Sequence, residues 1–271
     1  GYSFLTIGSA NLVKSFASDE LRERFLPPML DGRYSGTMAL TEPGQGSALG
    51  DIRTTARPAE DGSYRVFGQK MFISGGDHEL TDNIVHMVLA RIEGAPAGVK
   101  GISLFLVPKV LVNEDGSLGA RNDVALAGLL HKMGYRNTTS TVLSFGEKGG
   151  AVGYLVGEAN KGLSYMFQMM NEARIGVALG ASVLAYQSYI HALDYARERP
   201  QGRLPGSKDP LAPQVRIVEH ADVRRMLLQQ KVYAEGSLSL CLYASSLFED
   251  SHTAPTDAER ADAAELLDLL I

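Results

Sequence analysis

The sequence predicts an α+β chain laid out in three successive parts: helices, then short strands, then long helices. Three observations carry that prediction. Between Tyr34 and Phe145 the apolar residues fall into short β-type runs separated by turn residues. After Gly162 they recur at three- and four-residue steps, the spacing of one helix face. Pro27-Pro28 marks where the opening helical stretch gives way to the strands. The expected parts are 1–33, the end of an N-terminal helical domain; 34–156, an antiparallel β-barrel or sandwich; and 157–271, the start of a C-terminal helical bundle.

Residues 1–31 read as helical, with Asp19 placed to cap a short helix through Leu21, Phe25 and Leu26 that Pro27-Pro28 ends. Six runs then read as strands: Tyr34–Leu40, Tyr64–Phe67, Lys70–Ile73, Ile84–Arg91, Ile102–Val107 and Thr141–Phe145. Asp61-Gly62 is a hairpin signal, and strands at this spacing suggest a small barrel or sandwich. Residues 110–130 form a polar excursion, long for a loop. From Leu163 the stripe of Met166, Met170, Val177, Ala181 and Leu184 describes a helix reaching Arg199, about 55 Å at ~1.5 Å per residue. Met166, Met169 and Met170 read as core filling.

A loop at Gln201–Pro213 precedes a second long helix carrying Val223, Met226, Tyr233, Leu240, Ala244 and Leu247. Pro255 ends it, and Thr256 or Asp257 caps a third. Two long helices joined by one loop are expected to pack antiparallel.

Composition narrows the function classes. The 271 residues are 45% hydrophobic and 21% charged, which are ordinary globular values. A net charge of −5, with basic residues scattered among acids, speaks against nucleic acid as a partner. No run approaches the ~20 apolar residues of a membrane span. Cys241 is the only cysteine, so no internal disulfide forms; its apolar neighbours make it a buried thiol in a reducing compartment. Nothing in the pattern suggests a metal site. Gly1 opens without a methionine inside an apolar segment, and Ala263–Ile271 has no stop signal, so the chain is expected to be a piece of a longer one.

The candidate chemistry lies in two segments. Met38-Ala-Leu-Thr-Glu-Pro-Gly-Gln-Gly-Ser47 joins a strand to a turn with a hydroxyl at each side of it. Gly44 and Gly46 remove side chains where a flat or phosphorylated ligand could approach the backbone, although Glu-Pro-Gly is also ordinary turn chemistry. Gln69-Lys-Met-Phe-Ile-Ser-Gly-Gly76 adds a second strand with an aromatic and a hydroxyl at its end.

Together these segments resemble the signatures of the acyl-CoA dehydrogenases. Lys132-Met-Gly-Tyr-Arg136, Asn160-Lys-Gly-Leu163, Asn171-Glu-Ala-Arg174 and Tyr195-Ala-Arg-Glu-Arg-Pro-Gln201 follow in the family's order, so the resemblance runs from about Gly8 to Leu247. The excursion at 110–130 and the loop at 201–213 are similar to the larger subgroup that includes 3-methylmercaptopropionyl-CoA dehydrogenase. The resemblance implies FAD as cofactor. Met38, Leu40, Thr41, Gly46, Ser47, Phe72 and Ser74 would contact it, with Thr41 at the pyrimidine edge, Phe72 beside the ring and Ser74 near N5. Arg199 and Gln201 would hold the FAD of a neighbouring subunit, implying a homodimer or homotetramer. Ser47, Asn171 and Arg174 would line the thioester site.

The implied reaction is dehydrogenation of an acyl-CoA to a trans-2-enoyl-CoA, with electrons passed to an electron-transfer flavoprotein. The implied location is the cytoplasm, or the mitochondrial matrix in a eukaryote. The sequence departs from the family at Ala48, usually Asp, and at Gly202, usually Phe. Ala173 stands where one branch carries its base, and Glu172 projects about 100° away from it at helical spacing. The base is therefore expected beyond Ile271, and no residue of this chain is assigned that role. A flavin oxidase or monooxygenase on the same scaffold, and a non-catalytic scaffold protein, remain open alternatives.

Overall fold

Ser18, not Asp19, starts the second helix: its hydroxyl accepts from Leu21 N–H at 3.3 Å, and Asp19 supplies charge to the first turn. The structure, a computed structural model, describes residues 2–271. Helix α1 (Tyr2–Phe16) is followed by α2 (Asp19–Leu30). Contrary to expectation, Pro27 and Pro28 lie inside α2. They occupy its last turn, where the Pro27 carbonyl still accepts from Asp31 N–H at 3.0 Å. The chain forms two compact units, one ending at Ala173 and the other Arg174–Ile271.

The β-domain holds more strand than the sequence suggested. Its strands are β1 (Tyr34–Ala39), β2 (Thr55–Pro58), β3 (Tyr64–Ser74), β4 (Asn83–Ile92), β5 (Ile102–Pro108), β6 (Val110–Val112), β7 (Leu118–Arg121), β8 (Val124–Leu129), β9 (Ser140–Phe145) and β10 (Ala151–Val156). The two runs flanking Gly68 and Gln69 are one strand, β3. The excursion at 110–130 is the β6–β7 hairpin followed by β8 rather than a loop. Asp61-Gly62 turns β2 into β3, and β2 escaped notice because Thr55–Pro58 is short, polar and ends in proline.

Pairing runs β4–β5–β10–β3–β2 and returns from β2 to β4, closing a barrel. β9 and β8 extend it from β3, and β1 extends it from β4. The sheet is not wholly antiparallel: β1 and β2 each pair parallel with β4. A parallel pair needs a crossover, and the loop at 40–54 with the β2–β3 hairpin provides it between β1 and β4.

Period-two alternation along β4 separates two cores. Val88 and Ala90 face the barrel interior with Val66, Phe105 and Leu143. Val85, Met87 and Leu89 face outward, where Leu12 of α1 and Phe25 of α2 cover them. Helix α3 (Gly162–Glu198) starts in this unit and buries Met166 and Met169 in the second core, as core filling requires. Gly162 fits because a Cβ there would collide with the Ser103–Leu104 backbone of β5.

In the second unit, α3 from Arg174 onward, α4 (Ala221–Thr253) and α5 (Asp257–Leu270) form the helical bundle. Ile217 N–H donates to the Arg199 carbonyl at 2.8 Å, which sets the approach to α4 beside the end of α3, and Ser182 Oγ of α3 lies 3.7 Å from the buried Cys241 Sγ near the middle of α4, so the two run antiparallel. Thr256 caps α5 in a reciprocal capping box with Glu259. Among the described residues no helix is long and apolar enough to cross a membrane.

Candidate functional site

At the end of β1 the chain leaves the sheet through Leu40, buried, and Thr41, half-buried. Alongside, β3 carries a bulge: its register with β9 shifts between Lys70 and Ile73. Within the bulge Phe72 adopts φ +61°, a left-handed conformation unfavourable for a bulky L-residue. Its side chain is 61% exposed. A large aromatic held in strained backbone and left in solvent marks a contact surface.

Two hydrogen bonds join the segments. Met71 N–H donates to the Thr41 carbonyl and Lys70 Nζ donates to the Leu40 carbonyl, both at 2.9 Å. Lys70 is wholly buried and paired with Glu42 Oε1 at 2.9 Å. The same carboxylate accepts from Arg53 N–H (2.7 Å), Thr54 N–H (3.0 Å) and the Thr54 hydroxyl (2.6 Å). Burial pushes the Lys70 ammonium down to about 8, against the pull of Glu42. Burial works to raise the Glu42 carboxyl, but the Lys70 charge and the Thr54 and Arg53 hydrogen bonds outweigh it and hold it below its ordinary value.

Nothing inside the fold explains the glycines of the turn. Neither Gly44 nor Gly46 has positive φ. A Cβ at Gly44 would meet nothing within 4 Å, and one at Gly46 only Thr41 Cγ2 at 3.9 Å. Bare backbone at these positions fits a ligand lying against it. Beside the turn is a cavity of about 430 Å³ lined by Pro43, Gly44, Gln45, Arg53 and Gln69.

The structure therefore brings Leu40, Thr41 and Phe72 together, with Ser74, half-buried, at the end of β3 and Gly46 and Ser47 exposed in the adjoining loop. Met38 turns its side chain toward the helical core. Asn171, half-buried on α3, belongs to the first unit. Arg174, Arg199 and Gln201 belong to the second. There the Gln201 backbone is held at both ends: its N–H donates to the Val215 carbonyl at 2.9 Å, and its carbonyl lies 2.7 Å from His220 Nε2. Glu172 accepts from Asn11 Nδ2 at 2.9 Å beside a cavity of about 210 Å³ lined by Phe4, Ile7, Met169 and Ala173.

Sequence reasoning passed over the Lys70–Glu42 pair. The available signal was a lysine at an inward position of β3, a place that demands a buried counter-charge. Among the described residues no group of His, Cys, Asp and Glu side chains could hold a metal ion.

Comparison with known proteins bears on both units. The family described as "Acyl-CoA dehydrogenase, middle domain" matches residues 37–147, and "Acyl-CoA dehydrogenase, C-terminal domain" matches residues 160–264. A butyryl-CoA dehydrogenase of Syntrophomonas wolfei is 46% identical over 94% of this chain and 43% of its own length. The 3-methylmercaptopropionyl-CoA dehydrogenase of Ruegeria pomeroyi is 42% identical over 98% of this chain and 44% of its own. The chain thus spans less than half the length of these curated relatives. Among solved structures, a probable acyl-CoA dehydrogenase from Mycobacterium abscessus aligns with TM-score 0.67 and 26% identity, covering 98% of this chain and 63% of that one. Butyryl-CoA dehydrogenase from Megasphaera elsdenii aligns with TM-score 0.69 at 23% identity, over 98% and 63%, a likeness of fold.

Proposed function

The chain belongs to the acyl-CoA dehydrogenase family, and we propose that the protein oxidises an acyl-CoA thioester to its trans-2-enoyl-CoA with FAD as cofactor. The observation that carries this reading is the pair of unexplained glycines, Gly44 and Gly46, beside the exposed and strained Phe72. Both the Leu40 and Thr41 carbonyls are engaged within the fold, so the segment's N–H groups and the Thr41 hydroxyl are what it offers a ligand. Such donors suit an electron-rich ring edge that gains charge on reduction. Bound FAD would supply the acceptor for the hydride leaving the acyl β-carbon.

Leu40, Thr41, Phe72 and Ser74 hold and orient the ring in this reading, Phe72 keeps water from one side, and Gly46 and Ser47 sit under the phosphates. Asn171 and Arg174 bind the thioester part of the substrate. Removal of the α-proton needs a carboxylate base, a role that none of these residues takes. The names of the relatives favour a short, unbranched acyl group, and the likeness to the 3-methylmercaptopropionyl-CoA enzyme supports membership of the larger subgroup. Flavin and thioester binding fall to 34–156, preceded by helices at 1–33 and followed by the bundle from 157.

Val177 and Leu184 on α3 and Leu228 and Val232 on α4 are exposed apolar residues that support self-association. Arg199 and Gln201 would then reach the FAD of a second copy, and electrons would pass to an electron-transfer flavoprotein. Anaerobic addition of butyryl-CoA to the FAD-loaded protein tests the reading. With no base among these residues, bound acyl-CoA is expected to shift the visible flavin band without bleaching it, and a band indifferent to every saturated acyl-CoA refutes the reading.

A further inference from the structure

Flavin binding by the loop and the bulge leaves one costly feature of the first unit unused. Lys70 is fully buried in the bulged strand, and its ammonium bonds to the Leu40 carbonyl and to Glu42, while Glu42 bonds to the Arg53 and Thr54 amides. A buried ion pair adds little net stability, because desolvation of both charges offsets their attraction, and an apolar pair of similar size often serves as well. What this pair does that an apolar pair cannot is grip backbone. It joins three chain segments at one point: the start of the 40–47 loop, the Arg53–Thr54 stretch before β2, and β3 two residues before Phe72. Met71 N–H adds a second tie, to the Thr41 carbonyl.

We infer that Lys70 and Glu42 are positioning residues that lock the 40–47 loop onto the bulge of β3, fixing the Leu40–Thr41 amides and Phe72 relative to one another for the flavin edge. The inference rests on the proposed flavin site. By occupying the Leu40 carbonyl, Lys70 also removes an acceptor from the edge that faces the ligand, leaving donors. Close placement matters at such a site, since donors must meet the developing charge without moving.

Two variants separate positioning from stability. Lys70→Met alone leaves the Glu42 carboxylate buried without its counter-charge and is expected to lower the melting temperature as well as FAD affinity. Glu42→Gln with Lys70→Met removes both charges, and its melting temperature is expected to return toward wild type. FAD affinity, read by quenching of flavin fluorescence on the apoprotein, should still be weaker by at least about tenfold. Hydrogen exchange at residues 38–47 should be faster in the double variant without FAD, with exchange in β4 and β5 unchanged. A double variant that binds FAD as the wild type does, or exchanges no faster at 38–47, overturns the inference and leaves the proposed flavin site standing. A wild-type protein that takes up no FAD overturns that site itself and this inference with it.

Discussion

His86 should make this protein progressively less stable as pH falls below neutrality. It is wholly buried on β4, its Nδ1 lies 2.8 Å from the Thr37 hydroxyl, and its Nε2 has no hydrogen-bond partner. Burial pushes its pKa down to about 3, far outweighing Asp77, which favours the charged form; Lys109, Arg121 and His78 disfavour it. The unfolded chain takes up a proton near the ordinary histidine value of 6.5 while the folded one does not. Between those two values the unfolded state binds more protons, so stability rises with pH across the window and is lost on acidification. The slope is about 1.4 kcal/mol per pH unit, which comes to roughly 2–3 kcal/mol between about pH 8 and about pH 4.5. His86→Asn keeps a polar group near the Nδ1 position for Thr37 and does not titrate. Urea unfolding of both proteins across this range should give a stability difference that shifts by that amount. A difference that stays constant with pH would refute the reasoning, whatever its size.

Other substitutions probe the remaining links. Gly162→Ala drives a Cβ into the Ser103–Leu104 backbone and should cost about 1–3 kcal/mol in urea unfolding, although Gly162 has ordinary φ. Gly44→Ala points a methyl into open space, so stability should move by no more than about 0.5 kcal/mol. FAD affinity should nevertheless fall, which a titration of the apoprotein reads directly. Phe105→Ala empties the barrel interior and should lower stability by about 3–5 kcal/mol, seen in the unfolding midpoint. Thr256→Ala removes both bonds made by its hydroxyl in the capping box and should cost about 1 kcal/mol of α5 stability, visible as faster amide exchange in its first turn.

The long helices were legible because their apolar period continues for many turns, and the cap of α5 was narrowed to Thr256 or Asp257, of which the structure uses Thr256. The strands with near-continuous burial, β4 and β5, were equally plain. Sequence reasoning failed where local chemistry and tertiary context disagreed. Pro27-Pro28 looked like a stop, but α2 runs through both to Leu30, each proline giving up its own N–H bond to the preceding turn. β7 is exposed at every residue, so no alternation marks it, and β6–β8 read as a loop. At the site, Thr41, Phe72 and Ser74 stood out in their segments. The bulge at Phe72 and the Lys70–Glu42 clamp did not, since both depend on partners brought from distant parts of the chain.

Titration of the apoprotein with FAD, comparing wild type with Gly44→Ala, tests the central claim most directly. The account predicts saturable binding by the wild type and weaker binding by a variant that melts at the same temperature. Equal binding by the two would contradict the claim that this bare turn exists to admit the cofactor.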